Sequence, residues 1–319
     1  MVIGAIVLVL AGLAVVVVPQ FLAEPGRPRR AAAKKAAKRR LVVGDFLYGV
    51  TDGSGLPLGN GVLLKIDPNF AVSTVLSNAG LDGVEDVALA PDGDLLVVGS
   101  GPLGHNTLAR IDPRTGQSET VATFDDYPFV EGLTFVGGTL YGSASGREGS
   151  YCPDCSNHLI RIDPRTGKTT EVGTFGPEFV NVEALAYSPK YGLIGADIGT
   201  LVPPDFKSFH TTPALIRIDP KTGEATRIAS LPTDRFVCGL SFAPDGTLFG
   251  ATFPSHFGGR PNQLVTIDPT TGAITPIGDI GAKNGVQNVD GIQYVGADKS
   301  AEPDRPADVP SAPLNPTHR

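Results

Sequence analysis

Short apolar runs of strand length, separated by turn residues, recur along the chain. Gly239-Leu240-Ser241-Phe242 alternates as a half-buried strand does, Pro244-Asp245-Gly246 supplies turn chemistry, and Leu248-Phe249-Gly250-Ala251 is a second run. After a variable loop come Leu264-Val265-Thr266-Ile267, the turn Asp268-Pro269-Thr270-Thr271-Gly272, and a fourth run from Ala273 to Ile277. The unit occurs five times, marked by Ile66-Asp67-Pro68, Ile111-Asp112-Pro113, Ile162-Asp163-Pro164, Ile218-Asp219-Pro220 and Ile267-Asp268-Pro269. The aspartates are 45, 51, 56 and 49 residues apart. A period of about 40 to 50 residues made only of strand and turn signals predicts an all-β propeller with one four-stranded sheet per repeat.

Inner strands are expected at Asp86–Leu89, Gly132–Phe135, Ala184–Tyr187, Gly239–Phe242 and Gly291–Tyr294. Second strands are expected at Leu47–Val50, Leu95–Val98, Leu140–Ser143, Leu193–Ala196 and Leu248–Ala251. The domain thus opens with a second strand and ends with an inner one. Gly291–Tyr294 is therefore expected to pair with Phe46–Val50, closing a five-bladed ring over residues 41–296 and removing free sheet edges. A two-sheet sandwich would leave the fivefold phrase unexplained. In the turn itself, Asp accepts from backbone amides, Pro presets φ, and Gly closes in the left-handed region. The first copy reads Asp67-Pro68-Asn69-Phe70-Ala71 and lacks the glycine, so its turn is expected to differ.

The ends differ in character. Val2 to Val18 carries no charged or polar side chain, and Pro19 to Ala23 adds only Gln20. About 20 such residues cross a hydrocarbon core as a helix. A cleaved signal peptide is the competing reading, but no Lys or Arg precedes the run and no clear small-x-small site follows it. Residues 1–23 therefore read as a transmembrane signal anchor, giving a single-pass membrane protein. Residues 24–40 form a basic juxtamembrane linker with Arg27, Arg29, Arg30, Lys34, Lys35, Lys38, Arg39 and Arg40 against Glu24. The positive-inside rule favours a cytoplasmic propeller, with export as the alternative. From residue 41 to 297 the chain is acidic, with 28 Asp and Glu to 15 Lys and Arg, which argues against a nucleic-acid partner. Residues 297–319, rich in Pro, Ala and Asp, read as a disordered tail.

Candidate chemistry converges on one face. Just before each inner strand stand Val84-Glu85, Val130-Glu131, Val182-Glu183, Val237-Cys238 and Val289-Asp290. Fivefold geometry should aim Glu85, Glu131, Glu183 and Asp290 at the channel mouth, with Asn181 and Asn288 two residues before two of them. Oxygen ligands from several blades suit a divalent cation, calcium above all, although an acid at this register can also simply cap loop amides. His105, His158, His210 and His256 fall in loops after second strands, on what should be the same face. His105 and His158 are the candidates for a base beside a bound cation. Cys152-Pro153-Asp154-Cys155, with His158 three residues on, reads as a local disulfide, a structural zinc site that Cys238 could join, or free thiols.

The phrase from Leu159 to Gly167, with Gly239-Leu240-Ser241-Phe242-Ala243-Pro244-Asp245-Gly246-Thr247-Leu248, resembles the broad group of bacterial propellers around the NHL, YVTN and gluconolactonase-like families. Gluconolactonase-like enzymes hold a divalent cation in the channel through Glu, Asn and Asp. The resemblance thus implies a ligand role for Glu85, Glu131, Glu183 and Asp290. The resulting expectation is a membrane-tethered propeller that binds a ligand or protein partner on its channel face with a cation. Its rival is a cation-dependent hydrolase or lyase at the same mouth.

Overall fold

The computed structural model describes residues 44–51, 61–100, 106–127, 129–144, 158–201, 209–254 and 262–296. The predicted anchor, basic linker and tail lie outside the described residues. So do His105, His256, Cys152 and Cys155, and of His210 only the backbone is described.

Five four-stranded antiparallel sheets make the fold. Blade 1 holds β1 (Phe46–Thr51), β2 (Val62–Ile66) and β3 (Ser73–Asn78). Blade 2 runs through β4 (Gly83–Leu89), β5 (Leu95–Ser100), β6 (Asn106–Ile111) and β7 (Ser118–Thr123). Blade 3 is β8 (Val130–Val136), β9 (Thr139–Ala144), β10 (His158–Ile162) and β11 (Thr169–Thr174). Blade 4 is formed by β12 (Val182–Ser188) and β13 (Gly192–Asp197). A small hairpin, β14 (Thr200–Leu201) with β15 (Phe209–Thr211), then precedes its β16 (Ala214–Ile218) and β17 (Ala225–Ser230). Blade 5 comprises β18 (Arg235–Phe242), β19 (Leu248–Pro254), β20 (Gln263–Ile267) and β21 (Ile274–Asp279). The last strand, β22 (Val289–Val295), returns to blade 1 as its innermost strand. It pairs with β1 through Phe46↔Val295, Leu47↔Tyr294, Tyr48↔Gln293, Gly49↔Ile292 and Val50↔Gly291. The inner strands β4, β8, β12, β18 and β22 stand side by side around the axis.

Burial falls from hub to rim. Second strands such as β1 are buried along their whole length, whereas outer strands such as β7 are mostly exposed. The reason is that the inner part of each sheet is covered on both faces. Five apolar clusters fill the five gaps between neighbouring blades. Phe46, Tyr48 and Val50 point into the gap with blade 2, while Leu47 points into the gap with blade 5. Double-sided burial explains why these strands read as near-continuous apolar runs.

The Asp-Pro turns behave as their chemistry dictates. In the last four, the glycine amide donates to the aspartate carbonyl at 2.8 Å. The aspartate Oδ1 takes the amide two residues on, at 2.8 to 2.9 Å. The expected departure in blade 1 does not occur. Ala71 adopts φ 56° and its amide donates to the Asp67 carbonyl at 2.9 Å, while Asn69 donates to Asp67 Oδ1 at 2.7 Å. Alanine carries the smallest Cβ, so the strain of the left-handed region, about 1–2 kcal/mol, is outweighed by the two turn bonds and by complete burial of the methyl group.

The turns also dock the blades. A Cβ built on Gly272 would meet Ala229 Cβ at 2.6 Å, and one on Gly116 would meet Ser77 Cβ at 2.8 Å. Each turn therefore sits against the fifth residue of the preceding blade's outer strand. For Ala71 that residue is Gly278.

Candidate functional site at the hub

Each inner strand is two to four residues longer at its start than sequence predicts, because a β-bulge lets pairing continue past it. Between inner and second strands the register slips at Val84/Asp86, Val130/Gly132, Val182/Ala184 and Val237/Gly239. Beside β1, pairing skips from Gly291 to Val289. The skipped residues are Glu85, Glu131, Glu183, Cys238 and Asp290. A bulged residue has no partner across the ladder and its side chain is re-aimed. The fivefold series is thus the set of residues released from the sheet at the hub.

The residue after each bulge packs on the next inner strand. A Cβ on Gly132 would come 3.0 Å from Leu185 N, and one on Gly239 would come 2.6 Å from Asp290 O. Blade 2 carries Asp86 there instead. Its carboxyl accepts from Val87 N at 2.8 Å and from Leu133 N of blade 3 at 2.7 Å. Burial pushes the Asp86 pKa well up despite those two bonds, and the carboxyl clamps blade 2 to blade 3.

Electrostatics show that the bulged side chains share one environment. Burial, then the charges of Glu183, Glu85 and Asp197, push the Glu131 pKa well up. Burial and Glu85 raise Glu183 to about 7, against hydrogen bonds from the Cys238 thiol and from Asn181 Nδ2 (3.4 Å to Oε1). Burial and the charges of Glu183 and Asp290 push the Cys238 thiol well up, so it remains protonated. Sequence reasoning missed Asp197, the last residue of β13 and fully buried. Its Oδ1 accepts from Asn181 N at 2.8 Å, and burial raises its pKa to about 7. Glu131 Oε2 and Asp197 Oδ2 are buried and accept no hydrogen bond. Such oxygens are costly to leave unmatched.

Other candidates are placed elsewhere. His158 opens β10, within a strand rather than a loop and two strands out from the inner strand of its blade. Its Nδ1 lies 3.1 Å from Glu171 Oε1, and its ring contacts Tyr127. Cys238 does not join His158 in a zinc site, because its bulge turns it to the hub, where its thiol bonds Glu183. Among the described residues, no three His, Cys, Asp or Glu side chains stand close enough as they are to share one metal ion. The same residues include no helix long and apolar enough to cross a membrane.

A family described as a repeat of unknown function (DUF6923) matches residues 41–193. No curated protein matches the chain. Among solved structures the chain is similar to a chain of the nidogen/laminin complex, at 13% identity over 80% of this chain and 99% of that one, with a TM-score of 0.48. TolB from Acinetobacter baumannii aligns at 13% identity over 73% of this chain, with a TM-score of 0.45; the alignment spans 52% of TolB, about half its length. A gluconolactonase from Xanthomonas campestris aligns at 14% identity over 73% of this chain and 75% of that one, with a TM-score of 0.42. These are likenesses of fold. By architecture the chain is a repeat-built five-bladed β-propeller.

Proposed function

We propose that the hub is a binding site for a cationic ligand, a hard divalent ion such as calcium in the first instance, in a propeller tethered to a membrane by residues 1–23. The supporting observation is the pairing of five bulges, four of them acidic, with two buried carboxyl oxygens that lack hydrogen bonds, Glu131 Oε2 and Asp197 Oδ2. Carboxylates, four of them on bulged backbone and the fifth at the end of β13, fit a hard cation, whose coordination is flexible and draws on several such groups. Glu85, Glu131, Glu183, Asp197 and Asp290 would hold it. The ion would neutralise their mutual repulsion and offer a Lewis-acidic point at the mouth.

Calorimetric titration of the full chain with calcium, magnesium and zinc, with parallel thermal melts, tests the reading. Binding heat and a raised Tm are expected, both weakened by Asp197→Asn. Absence of heat and of any shift with every ion would remove it. A panel of lactones and esters separates a catalytic use of the ion from binding alone, since catalysis would be lost in Glu131→Gln.

A further inference from the structure

Four large apolar side chains are exposed among the described residues: Phe70 (67%), Val72 (37%), Val75 (45%) and Phe129 (48%). Three belong to one stretch of blade 1. At the position of Phe70 the other Asp-Pro turns carry Thr115, Thr166, Thr222 and Thr271. At that of Val72 stand Gln117, Lys168, Glu224 and Ala273, and at that of Val75 stand Thr120, Glu171, Arg227 and Pro276. Four blades thus fold with mostly polar or small residues where blade 1 exposes a phenyl ring and two isopropyl groups. The repeat itself does not require the apolar set.

Blade 1 is also where the propeller joins the rest of the chain. β1 begins at Phe46 and β22 ends at Val295, and these two residues pair. The turn bearing Phe70 follows Ile66, which pairs with Leu47, so Phe70 lies at that same end. The bulged acids lie at the other end, where Val289 pairs with Thr51. Four residues of strand, about 13 Å, separate the two levels. Upstream of β1 the sequence holds the apolar run Val2 to Val18 and the eight basic residues of 24–40.

We infer that the Phe70, Val72 and Val75 patch rests in the interfacial zone of a lipid bilayer, turning the acidic hub mouth away from the membrane. The inference builds on the tether proposed above and adds an orientation. A phenyl ring and two isopropyl groups, in a chain whose sequence carries a basic segment upstream of β1, match the paired apolar and cationic anchoring of peripheral surfaces on anionic lipid. Phe129 precedes Val130 at the hub-mouth end and serves as the opposite-face control.

The chain has no tryptophan, so one substitution supplies a unique fluorophore. Full-length Phe70→Trp and Phe129→Trp are reconstituted into vesicles of phosphatidylcholine and phosphatidylglycerol, with and without brominated acyl chains. Phe70→Trp emission is expected to shift to the blue and to be quenched by bromine, whereas Phe129→Trp emission is neither shifted nor quenched. Adding Val72→Gln and Val75→Thr, the residues of the second blade, should weaken the quenching without lowering Tm. Vesicles that float with the protein while Phe70→Trp stays unquenched would retain the tether and overturn the orientation. Failure to float would overturn both. A blue shift that grows with protein concentration in detergent, with no bromine quenching, would assign the patch to a second copy of the chain.

Discussion

Ala71 of blade 1 and Gly278 of blade 5 reverse the arrangement used at three of the other four blade joints. The Ala71 methyl lies 3.3 Å from where a Cβ on Gly278 would stand, while elsewhere glycine occupies the turn and its partner is usually larger. The joint of Gly223 with Gly173 carries no side chain at all; at the other four, one side supplies the side chain and the other is glycine.

That relationship predicts an unequal double-mutant cycle. Gly272→Ala places a Cβ 2.6 Å from Ala229 Cβ on a backbone at φ 68°. The expected loss is about 2–4 kcal/mol, the sum of left-handed strain and overpacking. Adding Ala229→Gly should return the packing part and leave about 1–2 kcal/mol of backbone cost. Denaturant unfolding of the four proteins measures this, and strict additivity would refute the shared-space account.

Asp86 should matter to stability more than a surface acid does. Asp86→Ala strands the amides of Val87 and Leu133 in a buried place, for a loss of about 2–4 kcal/mol. Asp86→Asn keeps one acceptor oxygen and so strands one amide rather than two. Its loss should be clearly smaller. Chemical-denaturation midpoints equal to the parent's in both variants would show that the clamp contributes nothing.

Stability should fall as pH rises in the presence of a chelator. Glu183 and Asp197 titrate near 7 when folded, above their ordinary values of 4.5 and 3.8. Between those values and about 7 the folded state holds more protons than the unfolded one, so unfolding free energy decreases with pH across this range. Thermal melts should show a higher Tm near the ordinary carboxylate range than at mildly alkaline pH, with a flatter profile in Asp197→Asn. A Tm that climbs across this range would contradict the buried-carboxyl account.

The Cys238 thiol should be chemically quiet. Burial and neighbouring acids keep it protonated, and the thiolate is the reactive form. In a Cys152→Ser, Cys155→Ser background, a disulfide reagent at neutral pH should label the folded protein far more slowly than the unfolded one. Rapid labelling of the folded protein would place the sulfur in solvent.

The sequence made the propeller legible because each repeat spends its residues on the same turn and the same double-sided burial. The register of Glu85, Glu131, Glu183 and Asp290 was visible too, as a series preceding the inner strands. The bulges were not, since a skipped rung is a property of two strands and leaves no mark in one. Asp197 escaped for a related reason. Its counterparts in register are Thr51, Gly99, Ala144 and Thr252, so no repeat of acids pointed to it. Ala71 shows the limit of reading glycine as a requirement: the left-handed site persists when a small side chain finds room. His158 was misplaced because a loop and the first residue of the strand after it look alike in sequence.

The bulges have a consequence for how such a wheel diversifies. A residue that contributes no rung to the ladder can be exchanged without undoing the sheet, as the sulfur at position 238 among four acids illustrates. The bore can therefore be relined one spoke at a time, and new ligand preferences can arise on a frame whose folding they leave untouched.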